Sequence, residues 1–263
     1  MILLRSALFN AAIFTLTPAT IVFGIPFLLA PPDWLRAYVR GWARLVLWLL
    51  RVLCGVRWQV TGAEHLPRDG AALIAAQHQS AFDTVVWHAL LPRAAYVMKI
   101  ELLRIPVWGA LARRVGSVGV DRAAGASALR DLLRDGRAAA GRGQQIVIFP
   151  EGTRTEFGER RPWQPGVAAL AAGTGLPLIP VATDAGRHWP RRSFRKRPGM
   201  ITVAVLPPIP PGLPRAALLR QAEAAVATAL AEAPADATPP VENPVESLRG
   251  GASGTPEESR PTH

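Results

Sequence analysis

The feature that most constrains this chain is an uncharged stretch near its start, from residue 6 to residue 32. About 20 apolar residues suffice to cross the hydrocarbon core of a bilayer, so the stretch is long enough to do so. Pro18 and the Gly24-Ile25-Pro26 sequence predict either a kink or two short re-entrant helices. A cleaved signal peptide is the alternative, although no clear small-residue cleavage site follows the run. The stretch therefore predicts a segment held in a membrane.

The next segment, residues 34–58, has the composition of a helix at a membrane surface. Arg36, Arg40 and Arg44 recur every four residues and so share one helical face. Tryptophans stand among them and the apolar residues, which is typical of the headgroup level. The alternative is a basic amphipathic helix packed on a catalytic domain. Because the basic residues follow the apolar stretch, we expect the rest of the chain on the cytoplasmic side of the inner membrane.

The net charge of +11 indicates anionic partners, which could be nucleic acid, an anionic membrane surface or phosphorylated substrates. Part of this charge lies in a basic cluster at residues 187–197, which contains Arg187, Arg191, Arg192, Arg195, Lys196 and Arg197. The cluster could bind nucleic acid, the phosphates of coenzyme A or lipid headgroups. Beside an apolar N-terminus, lipid headgroups are favoured and nucleic acid is not expected.

Residues 59–232 alternate β-rich and helical segments, which predicts an α/β domain with a mixed, largely parallel sheet flanked by helices. The predicted strands are 58–61, 71–77, 95–99, 117–121, 145–149, 178–183 and 201–206. The predicted helices are 82–91, 107–115, 126–140, 167–173 and 215–232.

The last segment, residues 233–263, contains six prolines and no aromatic residue, so we expect it to be disordered. The sequence thus predicts three parts: a membrane-embedded or interfacial helical segment at 1–58, a catalytic domain at 59–232 and a disordered tail at 233–263.

A first candidate for chemistry is His78, which follows an apolar strand and precedes a helix. Strand ends of this kind carry functional groups in α/β enzymes. Asp83 lies five residues later, where one turn of chain can bring its carboxylate to the imidazole. That carboxylate would fix the tautomer and stabilise the imidazolium that forms when the other ring nitrogen takes a proton, as a general base requires. Alternatively, Ser80 and Asp83 form only a helix-capping box.

A second candidate is the sequence Phe-Pro-Glu-Gly-Thr-Arg at residues 149–154, directly after a strong strand. Gly152 lets the backbone approach a ligand closely. Arg154 offers a planar fork of donors that fits a phosphate. Glu151 could brace the arginine or the loop instead of touching substrate, and a plain surface turn with an ion pair is the alternative for the whole segment.

These two segments, in this order, resemble the glycerolipid acyltransferase family and, within it, the 1-acylglycerol-3-phosphate acyltransferase branch. The sequence HQSAFD at 78–83 precedes FPEGTR at 149–154, and further similarity lies at 99–109, 118–122, 165–168 and 176–182. The resemblance covers roughly residues 55–210. Motifs in this order rarely coincide by chance, so membership of the family is predicted.

The resemblance implies a function and roles for single residues. An acyl group from acyl-CoA or acyl carrier protein would pass to the sn-2 hydroxyl of 1-acylglycerol-3-phosphate, a lysophospholipid, to give phosphatidate. His78 would be the general base and Asp83 would orient it, while Lys99 or backbone amides would stabilise the oxyanion. The implied phosphate-binding residues are Glu151, Gly152, Thr153, Arg154 and Arg122.

Other functions stay open at this point. Lyso-ornithine lipid or glycerol-3-phosphate could be the acceptor, and a non-catalytic membrane lipid-binding protein is a further alternative. No metal or cofactor is expected, because His65, His88, His188 and His263 show no ligand spacing. No Gly-x-Ser-x-Gly sequence is present, so we expect direct transfer without an acyl-enzyme.

Overall fold

The computed structural model describes residues 1–232, except for the side chains of Arg122 and Ala126. The tail at 233–263, which the composition predicts to be disordered, lies outside the described residues.

A sheet of seven strands forms the centre of the described chain, in the order β1-β7-β6-β2-β5-β3-β4. Neighbouring strands are parallel except β6 and β7, which are antiparallel, so the mixed, largely parallel sheet predicted from the sequence is confirmed. The strands are β1 (Val56–Thr61), β2 (Ala72–Ala76), β3 (Ala94–Lys99), β4 (Val118–Val120), β5 (Gln145–Ile148), β6 (Leu178–Thr183) and β7 (Gly199–Val205).

Helices cover both faces of this sheet, and each of the five predicted helices is present within one or two residues of its predicted bounds. The short helices α4 and α8 and the two N-terminal helices complete the set. The helices are α1 (Ile2–Phe23), α2 (Pro32–Cys54), α3 (Phe82–Leu90), α4 (Ile100–Leu103), α5 (Trp108–Val115), α6 (Ala126–Gly141), α7 (Pro165–Thr174), α8 (Ala185–His188) and α9 (Arg215–Glu232).

The alternation of side chains along β2 divides the core into two layers. Ile74 points to a layer that includes buried residues of α2 and α3, whereas Leu73 points to a layer built by α6, α7 and α9. Successive side chains of a strand leave opposite faces of the sheet, and both faces of this strand are covered. The continuous apolar run of β2 therefore follows from its central position.

The N-terminal helices form a hairpin against the first of these layers. α1 continues through Pro18 and ends before Gly24, so the break falls at the second of the two predicted positions. α2 buries one apolar face, including Leu47 and Leu50, in the same core as the sheet, as the alternative interpretation of this segment holds. Its other face leaves Trp34 and Trp48 exposed. The described hairpin is thus continuous with the domain on one side, and its outer surface carries apolar side chains together with the exposed Arg44 and Arg51.

The polar segments singled out in the sequence meet at one edge of the sheet. β2, β3, β5 and β6 run parallel to one another, so their carboxyl ends lie side by side. His78 follows β2, and residues 149–154 follow β5, its direct neighbour. Functional groups in open α/β sheets gather at this edge.

Candidate active site

His78 and Asp83 face each other at the carboxyl end of β2. Oδ2 of Asp83 lies 3.3 Å from Nδ1 of His78 and also accepts hydrogen bonds from the backbone N–H groups of Gln79 and Ser80, each at 2.7 Å. A carboxylate only accepts, so this contact favours the proton on Nδ1 and leaves Nε2 able to take another. Orientation of the base and capping of the chain before α3 are therefore carried out by the same carboxylate.

The imidazole of His78 is held between this carboxylate and the ring of Phe149. The two rings stack with centroids 4.0 Å apart and an angle of 16° between their planes. Phe149 follows β5 on the face of the sheet that His78 occupies, two residues beyond Val147. The phenylalanine that opens the second motif thus helps to fix the histidine of the first.

The loop at 149–154 is tied to the backbone of His78. The carbonyl oxygen of His78 accepts hydrogen bonds from the backbone N–H of Thr155 at 2.8 Å and from its hydroxyl at 3.3 Å. Gly152 has a φ of +72°, a conformation that side chains disfavour, and its N–H donates to the carbonyl of Phe149. The turn therefore depends on this glycine, and the two motifs form one rigid unit.

Two glutamines that the sequence analysis did not single out brace this unit from the other side. Oε1 of Gln77 accepts a hydrogen bond from the backbone N–H of Thr183, and Oε1 of Gln79 accepts one from Gly186. Gln77 and Gln79 flank His78 and point to the opposite face of the sheet. A polar pair at alternate positions around a candidate base is the signal that could have identified them.

A cavity of about 590 Å³, which we call the catalytic cavity, joins most of the predicted site residues. Its polar end is lined by His78, Lys99, Gly152, Thr153 and Arg154. Burial lowers the pKa of the Arg154 guanidinium, the Asp83 carboxylate raises it, and the positive charge of Arg191 lowers it. Nε of Arg154 is buried and makes no hydrogen bond within residues 1–232. The polar end thus combines a candidate base with a guanidinium that has donors to offer.

The other end of the catalytic cavity is apolar and lies under the N-terminal hairpin. Its walls come from α1, α2 and α5, with Ile21, Leu35, Tyr38, Val39, Trp42, Trp108 and Leu111 among the lining residues. An apolar pocket with a few convergent polar groups at one end suits a ligand with a hydrocarbon chain and a charged head.

A second histidine, His88, also lines the catalytic cavity but has a different environment. Burial and the positive charge of Arg40 lower the pKa of His88 to about 4, and its ring packs against Tyr96. Nδ1 of His78 lies 3.3 Å from the Asp83 carboxylate, whereas the surroundings of His88 oppose protonation. Of these two histidines, His78 is the one suited to act as a base.

Glu151 is predicted with the phosphate-binding residues, but its side chain lies apart from them. It lines a second cavity of about 800 Å³, between residues 157–163 and α9. Its side chain is buried; this burial and the negative charge of Asp83 raise the pKa of Glu151 to about 7, against hydrogen bonds from backbone N–H groups. The structure therefore places this carboxyl behind the loop and not in the catalytic cavity.

Arg122 begins a short turn after β4, and its side chain lies outside the described part of the structure. Its role in phosphate binding stays a prediction.

The basic cluster at 187–197 does not form one surface. Lys196 is buried against α1, where its Nζ donates to Oδ1 of Asn10 at 2.6 Å. Arg187 lies over the ring of Phe157, with its guanidinium carbon 4.2 Å from the ring centroid. Arg191 and Arg192 line the catalytic cavity, and Arg195 and Arg197 are exposed. The cluster is therefore divided between structural contacts, the cavity and solvent.

Comparison with known proteins agrees with this geometry. A family model described as acyltransferase matches residues 57–184, which include both motifs. The 1-acyl-sn-glycerol-3-phosphate acyltransferase of Pseudomonas aeruginosa is 35% identical over 65% of this chain and 66% of its own length. The enzymes of that name from Limnanthes alba and, in its alpha form, from Homo sapiens are 32% and 28% identical, over 57% and 60% of their own lengths. The matches thus span less than two thirds of these relatives.

The fold is shared with a solved structure. The crystal structure of the 1-acyl-sn-glycerophosphate acyltransferase of Thermotoga maritima superposes with a TM-score of 0.70, covering 90% of this chain and 97% of that one at 22% identity. The family match, the sequence relatives and the site residues within the matched range agree with the resemblance seen in the motifs. By these findings residues 57–184 form an acyltransferase domain.

Proposed function

We propose that this protein transfers a fatty acyl group from acyl-CoA or acyl carrier protein to the sn-2 hydroxyl of 1-acylglycerol-3-phosphate, giving phosphatidate. The observation that carries the proposal is the catalytic cavity, which brings the His78–Asp83 pair and Arg154 to one end of an apolar pocket. A lysophospholipid phosphate has the matching parts: a hydroxyl, an anionic group and a hydrocarbon chain. The names of the Pseudomonas and plant relatives support the same acceptor.

In this proposal His78 acts as the general base. Nε2 takes the proton of the acceptor hydroxyl while the hydroxyl oxygen attacks the thioester carbonyl carbon. The tetrahedral intermediate then collapses, the carbon–sulfur bond breaks, and the thiolate takes the proton from the imidazolium. Asp83 stabilises the imidazolium between these steps. General base catalysis typically contributes ~10²–10⁴-fold to the rate.

Arg154 and the 152–153 backbone would hold the acceptor phosphate, and so set the position of the hydroxyl. Lys99 ends β3 at the polar end of the same cavity and is our candidate for stabilising the oxyanion. An isolated positive charge on a flexible stem can follow the developing negative charge as the carbonyl becomes tetrahedral.

The acceptor resides in a membrane, and we propose that the N-terminal hairpin meets it there. Within residues 1–232, α1 is the one helix long and apolar enough to cross a bilayer, and only 11% of its apolar window is buried. Its exposed apolar side chains include Leu4, Leu8, Phe14, Val22 and Phe23. We place the hairpin in the inner membrane and the domain at 59–232 on the cytoplasmic side, since basic residues follow the apolar stretch.

The test is a side-by-side assay of the purified protein with acyl-CoA or acylated acyl carrier protein as the donor. Three acceptors are compared: lysophosphatidate, glycerol-3-phosphate and lyso-ornithine lipid. We expect kcat/KM for lysophosphatidate to be at least tenfold higher than for either competitor, about 1.4 kcal/mol of transition-state discrimination. His78→Gln protein prepared in the same way is the control for contaminating activity. A tenfold preference for either competitor would overturn the proposed identity of the acceptor. If no acceptor is turned over, the alternative of a non-catalytic lipid-binding protein is favoured.

A further inference from the structure

The loop after α8 brings two arginines to the polar end of the catalytic cavity. Arg191 and Arg192 both line the cavity together with Arg154. Nη1 of Arg191 donates a hydrogen bond to the backbone carbonyl oxygen of Arg154 at 2.9 Å, so this loop is fastened to the loop at 149–154. Three arginines from two loops therefore line the cavity that the candidate base also lines.

Within residues 1–232 none of these three arginines forms a salt bridge, and the Glu159 carboxylate, on which the charge of Arg191 acts, is paired with Arg161. Asp83 is the acidic residue whose charge acts on Arg154, but its Oδ2 already receives two backbone N–H groups and faces His78. Glu151, the acidic neighbour in sequence, lines the second cavity. Nε of Arg154 is buried without a hydrogen bond, and a buried donor without a partner is costly. The arrangement has the charge and the free donor that an anionic ligand would complete.

The backbone of Arg192 gives an independent indication. Its φ is +55°, in the left-handed region, and Val107 is the only other non-glycine residue within 1–232 with a positive φ. Such a conformation costs about 1–2 kcal/mol in an L-residue and is concentrated at sites of function. Arg192 is exposed, as Arg195 is, but it also lines the catalytic cavity, which Arg195 does not.

We propose that Arg191 and Arg192 complete, with Arg154, a binding site for a phosphate monoester. The proposal rests on the function proposed above and assigns this group to the acceptor. A phosphate monoester carries about −1.5 to −2 charges at pH 7 and three terminal oxygens, enough to accept from more than one guanidinium fork. A phosphodiester has one charge and two such oxygens. The three arginines therefore select lysophosphatidate over lysolipids whose phosphate is esterified or absent.

The kinetic test compares Arg191→Gln and Arg192→Gln with Arg195→Gln and Arg197→Gln in the full-length protein. The second pair removes the same charge from exposed positions of the same loop, outside the cavity lining. We expect each of the first pair to raise the KM for lysophosphatidate about tenfold, with the KM for the acyl donor changed less than about twofold. In both control variants the KM for each substrate should stay within about twofold of the wild-type value. A rise in the donor KM instead would assign the pair to the donor and overturn the proposal.

Arg191 also holds a loop, so a structural role must be separated from ligand binding. Arg191→Lys keeps a charge and a donor, and it should restore part of the acceptor affinity lost in Arg191→Gln. A second measurement uses quenching of tryptophan fluorescence on titration with lysophosphatidate, lysophosphatidylcholine or monoacylglycerol in detergent. Wild type should bind lysophosphatidate most tightly, and Arg191→Gln/Arg192→Gln should lose that preference while still binding monoacylglycerol.

The two proposals can fail separately. Arginine-dependent binding of lysophosphatidate without formation of phosphatidate would refute the proposed function and support the anion site. Normal formation of phosphatidate, with acceptor KM values in the first pair equal to those of the control variants, would refute the anion site and support the function.

Discussion

The two cavities on either side of the 149–154 loop differ in their lining residues and in the ionisable groups that they contain. The catalytic cavity is lined by His78, by Arg154 and by apolar residues under the hairpin, and Asp83 contacts His78 from outside the lining. The second cavity contains Glu151 and lies between residues 157–163 and α9. Glu151 and Arg154 are three residues apart, yet they belong to different cavities. Proximity in a motif therefore does not assign two side chains to one site, and the roles of the two cavities can be separated by substitution.

The largest effect should come from the catalytic cavity at His78. We expect His78→Gln to lower kcat by ~10²–10⁴-fold, because the hydroxyl then loses its proton acceptor. Asp83→Asn should lower kcat less, since it spoils orientation and charge but leaves the base in place. Steady-state kinetics on purified variants with unchanged circular dichroism would measure this. Near-normal turnover by His78→Gln would show that the cavity has another base.

The next effect concerns Arg154, on the same side of the loop. Arg154→Lys keeps the positive charge but loses the planar fork, so the KM for the phosphorylated acceptor should rise about tenfold. The KM for the thioester donor should stay nearly constant, because the donor has no contact with this guanidinium in our proposal. Initial rates with one substrate varied at a time would check this. If the donor KM rises instead, the assignment of the two substrates to the cavity is reversed.

Glu151, on the other side of the loop, should affect stability and its dependence on pH more than substrate binding. Its pKa is about 7 in the folded protein against an ordinary value of 4.5, so the folded state retains a proton that the unfolded state releases between these pH values. Stability therefore falls as the pH rises through this window. Glu151→Gln should abolish this loss of stability with rising pH. Its Tm at pH 8 should exceed that of wild type by about 2–4 °C, with a smaller difference at pH 5.

Thermal unfolding at the two pH values measures the difference, and Glu156→Gln, at an exposed carboxylate of the same loop, is the matched control. An acceptor KM that rises in Glu151→Gln as much as in Arg154→Lys would break the distinction between the two cavities.

The smallest effect on turnover should come from the outer surface of α1. Replacing Leu4, Phe14 and Val22 by Gln removes exposed apolar side chains without touching the cavity wall. We expect the variant to leave membranes at lower salt and to lose activity on bilayer-embedded acceptor, because each side chain loses about 1–2 kcal/mol of transfer free energy. Activity on detergent-dispersed acceptor should change less than about twofold. Leu213→Gln, an exposed apolar position before α9, is the control, and equal membrane retention in both would contradict the role of α1.

The order of strands and helices could be predicted from the sequence because local patterns decide it. Apolar runs such as 71–77 and 145–149 become central strands. The leucine spacing of α6 predicts a buried face less well, because Leu132 is buried and Leu133 partly buried but Leu129 is exposed. The course of the hairpin could not be decided in the same way. Pro18 removes one backbone donor, but α1 continues past it and the chain turns only at Gly24. A proline is tolerated in an apolar helix where neighbouring groups or local adjustments satisfy the backbone group that it frees, and sequence spacing does not show whether they do.

The pairing of His78 with Asp83 and the position of Arg154 were also predictable, because both follow from strand ends and short spacings. The different placement of Glu151 was not, since it depends on the path of the loop after Phe149. The convergence of Arg191 on Arg154 depends on contacts between residues 37 positions apart. Such contacts are set by the sheet order, in which β6 lies beside β2, and no local pattern contains that information.

The buried contact between Lys196 and α1 has a mechanical consequence. Lys196 donates a hydrogen bond to Asn10, and its backbone N–H donates one to the hydroxyl of Ser6. The loop that carries Arg191 and Arg192 is therefore fastened to α1, the helix with the exposed apolar surface. Helices in bilayers adjust their tilt to the thickness of the hydrocarbon layer. A change in tilt of α1 would pull directly on this loop. With α1 in a bilayer as proposed, the thickness of that bilayer would therefore affect the geometry of the catalytic cavity.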